Sequence, residues 1–246
     1  MIANRKYCPS CKLELHILAS IEGRKITTEV IRITSTSFEY SLLWVLIPHF
    51  PCVSFTTFCA YSKVAKAVAR IIALALNLEI DYFDRQEMLG KPIATLCLLH
   101  YEGRISDPVK GIFGAGAHSD FGFITLLATD DNYGLQICKD KDAKPQQWEF
   151  VAPLKGEFIV KLVNLADMLE RWSNCTFRST WHRVLGNGQE RYSIAYFVDP
   201  SHGCLVECLP TCQSQENPPK FPPIKFETYM LQRYKDMHAD LNSYNK

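Results

Sequence analysis

The segment Gly116–Leu127 (GAHSDFGFITLL) places a histidine and an aspartate two residues apart, just ahead of an apolar run. Burial of an imidazole and a carboxylate against hydrophobic neighbours is unfavourable unless each has a partner, and a bound metal ion is one such partner. In a β-strand, residues i and i+2 point to the same face, so His118 and Asp120 can project together into a sheet interior. The spacing therefore predicts two metal ligands carried by a strand.

A second histidine–aspartate pair with the same spacing, His238 and Asp240, provides a contrast. It lies within residues 226–244, which we predict to form a helix that closes the chain. Residues i and i+2 of a helix point in different directions and do not readily converge on one ion. We therefore predict that His238 and Asp240 are surface residues.

A third ligand can be sought near Asn187-Gly188, a dipeptide typical of two-residue β-hairpin turns. If it joins the two flanking strands, counting back from the turn places His182 opposite Ser193, one rung from Arg191. A guanidinium and a hydroxyl beside a metal favour a site for an anionic ligand, because arginine binds a carboxylate through two parallel hydrogen bonds. The alternative is that His182 is a paired core histidine and Arg191 is a surface charge.

Short strands are expected to position these residues. From Leu96 onward, runs rich in β-branched and aromatic residues are separated by Gly, Asn, Asp and Pro, which predicts an all-β sandwich or barrel flanked by helices. The predicted strands are 96–102, 123–129, 134–139, 148–153, 158–165, 180–185 and 191–199. Ahead of them, residues 62–77 space their apolar positions at three and four, which predicts an amphipathic helix that packs against a sheet.

Composition narrows the class of protein. The chain has 246 residues, 47% of them apolar, which is enough for one sizeable core. Lysine and arginine number 27 against 26 acids, so we expect no attraction to nucleic acid or to an anionic membrane, and a small-molecule ligand instead. The cysteines form no compact framework and the N-terminus does not resemble a signal peptide, so we expect reduced thiols in a cytoplasmic monomer.

Two N-terminal features allow alternative interpretations. Cys8 and Cys11 are spaced like half of a zinc site or a redox pair, but the sequence has no second pair at a finger-like spacing, which favours ordinary thiols. Residues 42–60 resemble a membrane segment in composition. Two prolines and a histidine interrupt the run before it reaches about 18 apolar residues, which argues against a spanning helix.

Two histidines and one carboxylate also form the facial triad of non-haem Fe(II) oxygenases. The segment from about Leu96 to Pro223 resembles the plant-type 2-oxoglutarate- and Fe(II)-dependent dioxygenases of the isopenicillin N synthase-like superfamily. The motifs that carry the resemblance are His118-Ser119-Asp120 after Gly-Ala-Gly-Ala, Leu135-Gln136-Ile137, Asp167-Met168-Leu169-Glu170-Arg171-Trp172, His182-Arg183-Val184 and Arg191-Tyr192-Ser193.

The resemblance implies a mainly β fold with flanking helices, a double-stranded β-helix or jelly-roll barrel with iron at its mouth. The implied iron ligands are His118, Asp120 and His182. Arg191 and Ser193 are implied to hold the distal carboxylate of 2-oxoglutarate, and Tyr101 is implied as a further contact of the cosubstrate. The Arg-x-Ser pair also serves other ligands in related enzymes, so the cosubstrate is not settled by these two residues.

The implied reaction consumes 2-oxoglutarate and dioxygen, releases succinate and carbon dioxide, and hydroxylates or desaturates a small organic metabolite of the kind found in plant secondary metabolism. Fe(II) is the implied cofactor and ascorbate an implied reductant, while the protein supplies geometry and a dry pocket. The candidates for pocket walls, each of which can equally be ordinary core, are Phe121, Phe123, Tyr196 and Phe197.

Two departures from the family pattern shape the expected domain division. Residues 1–60 do not resemble the usual N-terminal region, so we divide the chain into an atypical region 1–60 and a dioxygenase domain 61–246 with its core at 96–223.

Residues 161–163 look like an insertion and Ala166 replaces a usual glycine, which is costly if the turn needs positive φ. We expect a looped-out or strained segment here, and predict that deleting 161–163 with Ala166→Gly raises the melting temperature.

Three functional classes stay open. The first and favoured one is an active dioxygenase. The second is a catalytically impaired relative that binds metal or partners without forming succinate. The third is a zinc hydrolase or other metal enzyme with the same three ligands, in which Arg191 and Ser193 would have no role.

Overall fold

The computed structural model describes residues 28–35, 55–153 and 162–242. Three α-helices lie in these ranges: α1 (Phe55–Ala75), α2 (Asp167–Trp172) and α3 (Phe226–Asn242). The strands are β1 (Thr28–Ser35), β2 (Ile93–Tyr101), β3 (Ala115–His118), β4 (Ile124–Thr129), β5 (Leu135–Cys138), β6 (Trp148–Phe150), β7 (Leu162–Leu165), β8 (His182–Val184), β9 (Arg191–Asp199), β10 (Leu205–Val206) and β11 (Ile224–Lys225). Each predicted strand overlaps an observed one, and both predicted helices are present.

The strands form two main antiparallel sheets. The larger has the order β1-β2-β9-β4-β7 and the smaller has the order β3-β8-β5-β6, while β10 and β11 pair separately. Successive strands from β2 to β5, and again from β7 to β9, alternate between the two sheets. Side chains of both sheets pack together where Tyr101 meets Leu135 and Val184. The mainly β class is therefore confirmed.

Helix α1 covers the outer face of the larger sheet. Its buried positions Tyr61, Ala65 and Ile72 pack in one core with alternate strand residues such as Leu96 and Tyr196. The ring of Tyr196 also meets Phe58 of α1 edge-on, with centroids 5.2 Å apart. This packing confirms the predicted amphipathic helix, which begins earlier than the apolar spacing indicated.

The inner face of the larger sheet carries polar residues in ordered rows, because directly paired residues of neighbouring strands point to the same face. Thr125 is paired with both Phe197 and Asn164, and these residues form one row. Further along β9, Ser193 is paired with Leu99, and Arg191 with Tyr101. Asn164 and Arg191 therefore lie towards opposite ends of the inner face.

The predicted hairpin at Asn187-Gly188 is wrong. Strand β8 pairs with β3 and β5 in the smaller sheet, whereas β9 pairs with β2 and β4 in the larger sheet. Gly188 has φ 93°, but Asn187 is not among the positive-φ residues, and a type I′ turn needs positive φ at both. The Asn187 side chain instead accepts a hydrogen bond from the Gln189 backbone at 3.0 Å, and the connection crosses between sheets.

The predicted excursion near residue 161 is not present in β7. Leu162 and Val163 pair with Leu127 and Leu126 of β4 in unbroken register. Ala166 has φ −112° and ψ 177°, an extended conformation open to any residue, so the argument for glycine there is wrong. Lys161 lies outside the described residues, and the effect of deleting 161–163 stays a prediction.

Several sequence predictions fall on the N-terminal region. Cys8, Cys11 and residues 42–54 lie outside the described part of the chain, and the division at residue 60 stays a prediction. The cysteines that the structure does describe are free thiols, in line with the expected reduced state. Among the helices in the described ranges, none is long and apolar enough to cross a membrane.

Candidate functional site

The structure brings His118, Asp120 and His182 together. One potential ligand atom from each lies within 4.8 Å of the others. Asp120 Oδ1 is 3.9 Å from His118 Nε2 and 3.7 Å from His182 Nε2. The two histidines are paired across β3 and β8, with ring centroids 4.2 Å apart. Two imidazole nitrogens and one carboxylate oxygen form a donor set suited to non-haem Fe(II).

The carboxylate reaches this cluster from outside a strand. Strand β3 ends at His118, so the prediction of one strand carrying both His118 and Asp120 is wrong. Asp120 is positioned by hydrogen bonds instead: Thr125 Oγ1 donates to its Oδ2 at 2.6 Å, and Asn164 Nδ2 donates to the same oxygen at 2.5 Å. These bonds occupy Oδ2 and leave Oδ1 directed at the two imidazoles.

Each histidine ring is oriented by a backbone carbonyl. His118 Nδ1 is 2.7 Å from the Gly116 oxygen, and His182 Nδ1 is 3.1 Å from the Thr180 oxygen. A carbonyl only accepts, so the geometry assigns the hydrogen to Nδ1 and leaves the Nε2 lone pair facing Asp120. Desolvation, followed by repulsion from His182, lowers the pKa of His118. The neutral imidazole that results is the form that binds a metal.

A buried cation lies further along the same interior. Arg191 is 4% exposed, and its Cζ lies 5.1 Å from the centre of the Tyr101 ring. Arg191 Nε and Arg191 Nη1 are buried and have no hydrogen-bond partner among the residues described, while the Tyr101 hydroxyl interacts with both Arg191 and Ser193. The alternative that Arg191 is a surface charge is therefore wrong.

These orphaned donors fit an anion. A buried guanidinium with two unused donors is costly, and a carboxylate that accepts two parallel hydrogen bonds would relieve that cost. Arg191 also lines a small pocket, together with Leu127, Thr129, Asn132, Leu135, Val151 and Ala152. The hydroxyl of Tyr101 faces the same groups, although burial raises the pKa of this tyrosine.

The aromatic wall candidates divide into two groups. Phe123 is fully buried against Phe83, with ring centroids 4.9 Å apart, and Tyr196 packs under α1, so both are core. Phe197 shares the inner row of Thr125. Phe121 lies under Arg233 of α3, whose Cζ is 4.9 Å from the ring centre.

Three residues around the cluster were missed by sequence reasoning: Thr125, Asn164 and Arg233. Thr125 and Asn164 interrupt apolar strands with single polar residues, a signal that was available but not used. Arg233 is near enough to contribute to the lowered pKa of His118, and its Nε lies 3.9 Å from Asp167 Oδ2. Nothing in its local sequence distinguishes it from a surface charge. His238 lies in α3 as predicted, but side chains beyond residue 236 are not described, so its surface position stays a prediction.

Comparison with known proteins gives consistent matches. Residues 94–200 match the family described as the 2OG-Fe(II) oxygenase superfamily. The chain is 51% identical over 185 residues to kihadalactone A synthase LFS of Citrus sinensis, covering 75% of this chain and 54% of that protein. The chain thus spans about half the length of the curated relatives it matches.

Solved structures agree with this result. A full-length Neurospora crassa protein in complex with alpha-KG superposes with a TM-score of 0.66 at 29% identity, over 84% of this chain and 65% of the other. JOX2 in complex with 2OG, Fe and JA superposes with a TM-score of 0.64 at 27% identity, over 83% of this chain and 59% of the other.

Proposed function

This chain belongs to the 2OG-Fe(II) oxygenase superfamily, and from this premise we propose that it is an Fe(II)- and 2-oxoglutarate-dependent oxygenase acting on a small organic metabolite. The reaction we propose is hydroxylation or desaturation, with release of succinate and carbon dioxide. The observation that carries the proposal is the buried Arg191, whose Nε and Nη1 have no partner among the described residues, in the interior that also holds the three candidate ligands. We further propose a jelly-roll barrel within a domain spanning residues 61–246.

The metal would be held by His118 Nε2, Asp120 Oδ1 and His182 Nε2. With only three protein ligands, such a site would leave room for the cosubstrate beside the metal. When bound there, Fe(II) and 2-oxoglutarate supply the oxidative chemistry that amino-acid side chains lack. The hydrogen bonds from Thr125 and Asn164 keep Asp120 Oδ1 aimed at the metal position.

The cosubstrate would be oriented by the residues near the other end of the inner face. Arg191 would donate hydrogen bonds to the distal carboxylate of 2-oxoglutarate, while Ser193 Oγ and the Tyr101 hydroxyl would complete its contacts. Charge-assisted bonds of this kind gain strength where water is excluded, and Arg191 is buried. A zinc hydrolase built on the same three ligands would have no use for this buried cation.

The metabolite would approach the metal from the end of the interior that Phe121, Phe197 and Arg233 border. The rings of Phe121 and Phe197 would limit the access of water there, which would protect the oxidation from side reactions. The relatives' names support a metabolite as substrate, since one of them is a kihadalactone A synthase. Ascorbate would serve as the external reductant.

Oxygen uptake and succinate release, measured with Fe(II), 2-oxoglutarate, ascorbate and a panel of plant metabolites, test the proposal. We expect succinate formation that depends on both Fe(II) and 2-oxoglutarate and that a subset of metabolites stimulates. Retained iron without any succinate would identify an impaired relative instead. Hydrolysis of a panel metabolite by a zinc-loaded preparation, without 2-oxoglutarate, would favour the hydrolase class.

A further inference from the structure

Helix α2 contacts the segments that carry two of the three candidate ligands. At its first residue, the backbone N–H of Asp167 donates to the carbonyl of Asp120 at 3.0 Å. Further along, the carboxylate of Glu170 accepts from the backbone and side chain of Ser179, three residues before His182. A helix of six residues therefore connects the approach to Asp120 with the approach to His182.

Glu170 is the centre of a buried network. Its two carboxylate oxygens accept from Lys141 Nζ at 2.9 and 2.6 Å, and from Ser179 N at 2.8 Å and Ser179 Oγ at 2.5 Å. Lys141 Nζ also donates to Ser179 Oγ at 3.0 Å. Burial alone would raise the pKa of Glu170, but the hydrogen bonds from Lys141 and Ser179 outweigh it and hold the pKa below its ordinary value. The carboxylate is thus ionised and has partners at both oxygens.

The network acts on a segment that has no sheet pairing of its own. Strand β8 begins only at His182, so residues 179–181 are placed by individual bonds. Thr180 N donates to the Leu165 carbonyl at 3.0 Å, and Cys138 N donates to the Trp181 carbonyl at 2.8 Å. Ser179 is held by its hydrogen bonds with Glu170 and Lys141. The next residue, Thr180, supplies the carbonyl that orients the His182 ring.

We infer that Glu170, paired with Lys141, is a positioning residue for the metal: it sets the Thr180 carbonyl, and through it the direction of His182 Nε2. This inference rests on the proposed role of His182 as an iron ligand. Groups that orient a metal-binding histidine affect affinity strongly although they do not touch the ion. Loss of the Glu170 charge would leave the half-buried Lys141 without its anion and release Ser179.

The chain contains a matched control pair. Lys139 lies two residues before Lys141, and its Nζ is 2.9 Å from Glu149 Oε2, but the two side chains are 60% and 55% exposed. The Lys141 and Glu170 side chains are 21% and 10% exposed. Exposed pairs are screened by water and contribute little. Changes at Lys139 and Glu149 thus remove the same residue types from the same neighbourhood without altering the segment that leads to His182.

The test is titration of the metal-free full chain with cobalt(II), whose absorption spectrum reports ligand geometry. Glu170→Gln and Lys141→Met are compared with Glu149→Gln and Lys139→Met. We expect Glu170→Gln to raise the cobalt(II) Kd by about tenfold or more and to alter the absorption spectrum. Lys141→Met should also raise the Kd and alter the spectrum. Both control variants should retain the Kd and the spectrum of the unmodified chain.

A merely structural bridge would give a different result. If Glu170→Gln lowers the melting temperature but leaves the cobalt(II) Kd and spectrum unchanged, the inference is overturned. If that variant does not fold, Ser179→Ala gives the answer, because it removes the two bonds of the Ser179 hydroxyl and keeps the backbone bond to Glu170. A several-fold weaker Kd supports the inference, and an unchanged Kd overturns it. Cobalt binding needs no turnover, so a chain that binds cobalt(II) but forms no succinate contradicts the proposed function and leaves this test valid.

Discussion

The two ends of the inner face are built differently. At the metal end, the parts of the ligands that face away from the cluster already have partners: Asp120 Oδ2 accepts from Thr125 and Asn164, and both histidine Nδ1 atoms face carbonyl oxygens. At the other end, Arg191 Nε and Nη1 are buried, and in the described part of the chain these two donors lack partners.

This difference separates a preformed site from one that its ligand completes. Three metal ligands crowd together, so other bonds must hold them before an ion arrives. The other end carries the cost of two buried donors without partners, which binding of an anion would relieve. In the proposed function, affinity for the cosubstrate would thus be gained at the expense of stability in its absence.

The largest effect should follow removal of a ligand at the metal end. Asp120→Ala should lower iron-dependent succinate formation by about 100-fold or more, because it removes both a donor and the charge that offsets the metal. The same loss is expected for His118→Ala and His182→Ala, measured with equal protein and saturating Fe(II). His238→Ala is the control with the repeated His-x-Asp spacing, and a comparable loss in that variant would contradict the site assignment.

Next in size is the loss of the cation at the other end. Arg191→Leu should raise the apparent requirement for 2-oxoglutarate by about 10- to 100-fold, since a charge-assisted hydrogen bond contributes about 1.5–3 kcal/mol. Metal affinity, measured by cobalt(II) titration, should be preserved because Arg191 is not a ligand. An unchanged 2-oxoglutarate requirement would point to a different cosubstrate or a different anchor.

A smaller effect should follow loss of a bond to Asp120. Asn164→Ala removes the donor at 2.5 Å from Asp120 Oδ2 and should weaken metal affinity by about tenfold, with Thr125 still in place. The requirement for 2-oxoglutarate, measured at saturating metal, should not change. If the 2-oxoglutarate requirement rose instead and the metal affinity did not change, the two ends would not bind metal and cosubstrate separately.

The smallest effect concerns stability without ligands. In the metal-free chain, Arg191→Leu should raise the free energy of unfolding by about 1 kcal/mol, because two buried donors without partners are removed and only the interactions with the Tyr101 ring and hydroxyl are lost. Denaturant unfolding with and without 2-oxoglutarate gives the measurement, and the stabilisation by 2-oxoglutarate should disappear. A less stable variant would mean that Arg191 is already compensated in the free protein.

Local pattern was enough for much of this protein. Runs of β-branched and aromatic residues between turn residues located the strands from β2 to β9 apart from the short β3. Three- and four-residue spacing located α1, and residue types identified His118, Asp120 and His182 as candidates. The reasoning that led to His182 was nevertheless wrong, because it used a hairpin with β9 that does not form. The histidine reaches the cluster through β3 and β5 in the smaller sheet.

What local pattern could not decide is which distant segments meet. Period-two alternation specifies the two faces of a strand but not its partner, since many strands share the same pattern. The support of Asp120 by Asn164, 44 residues away, and the contact of Lys141 with Glu170, 29 residues away, both depend on how the sheets pack. The sequence by itself determined the chemistry available in each segment. Only the tertiary structure determined which donors gained partners and which, like those of Arg191, were left for a ligand, because long-range packing sets burial and pairing together.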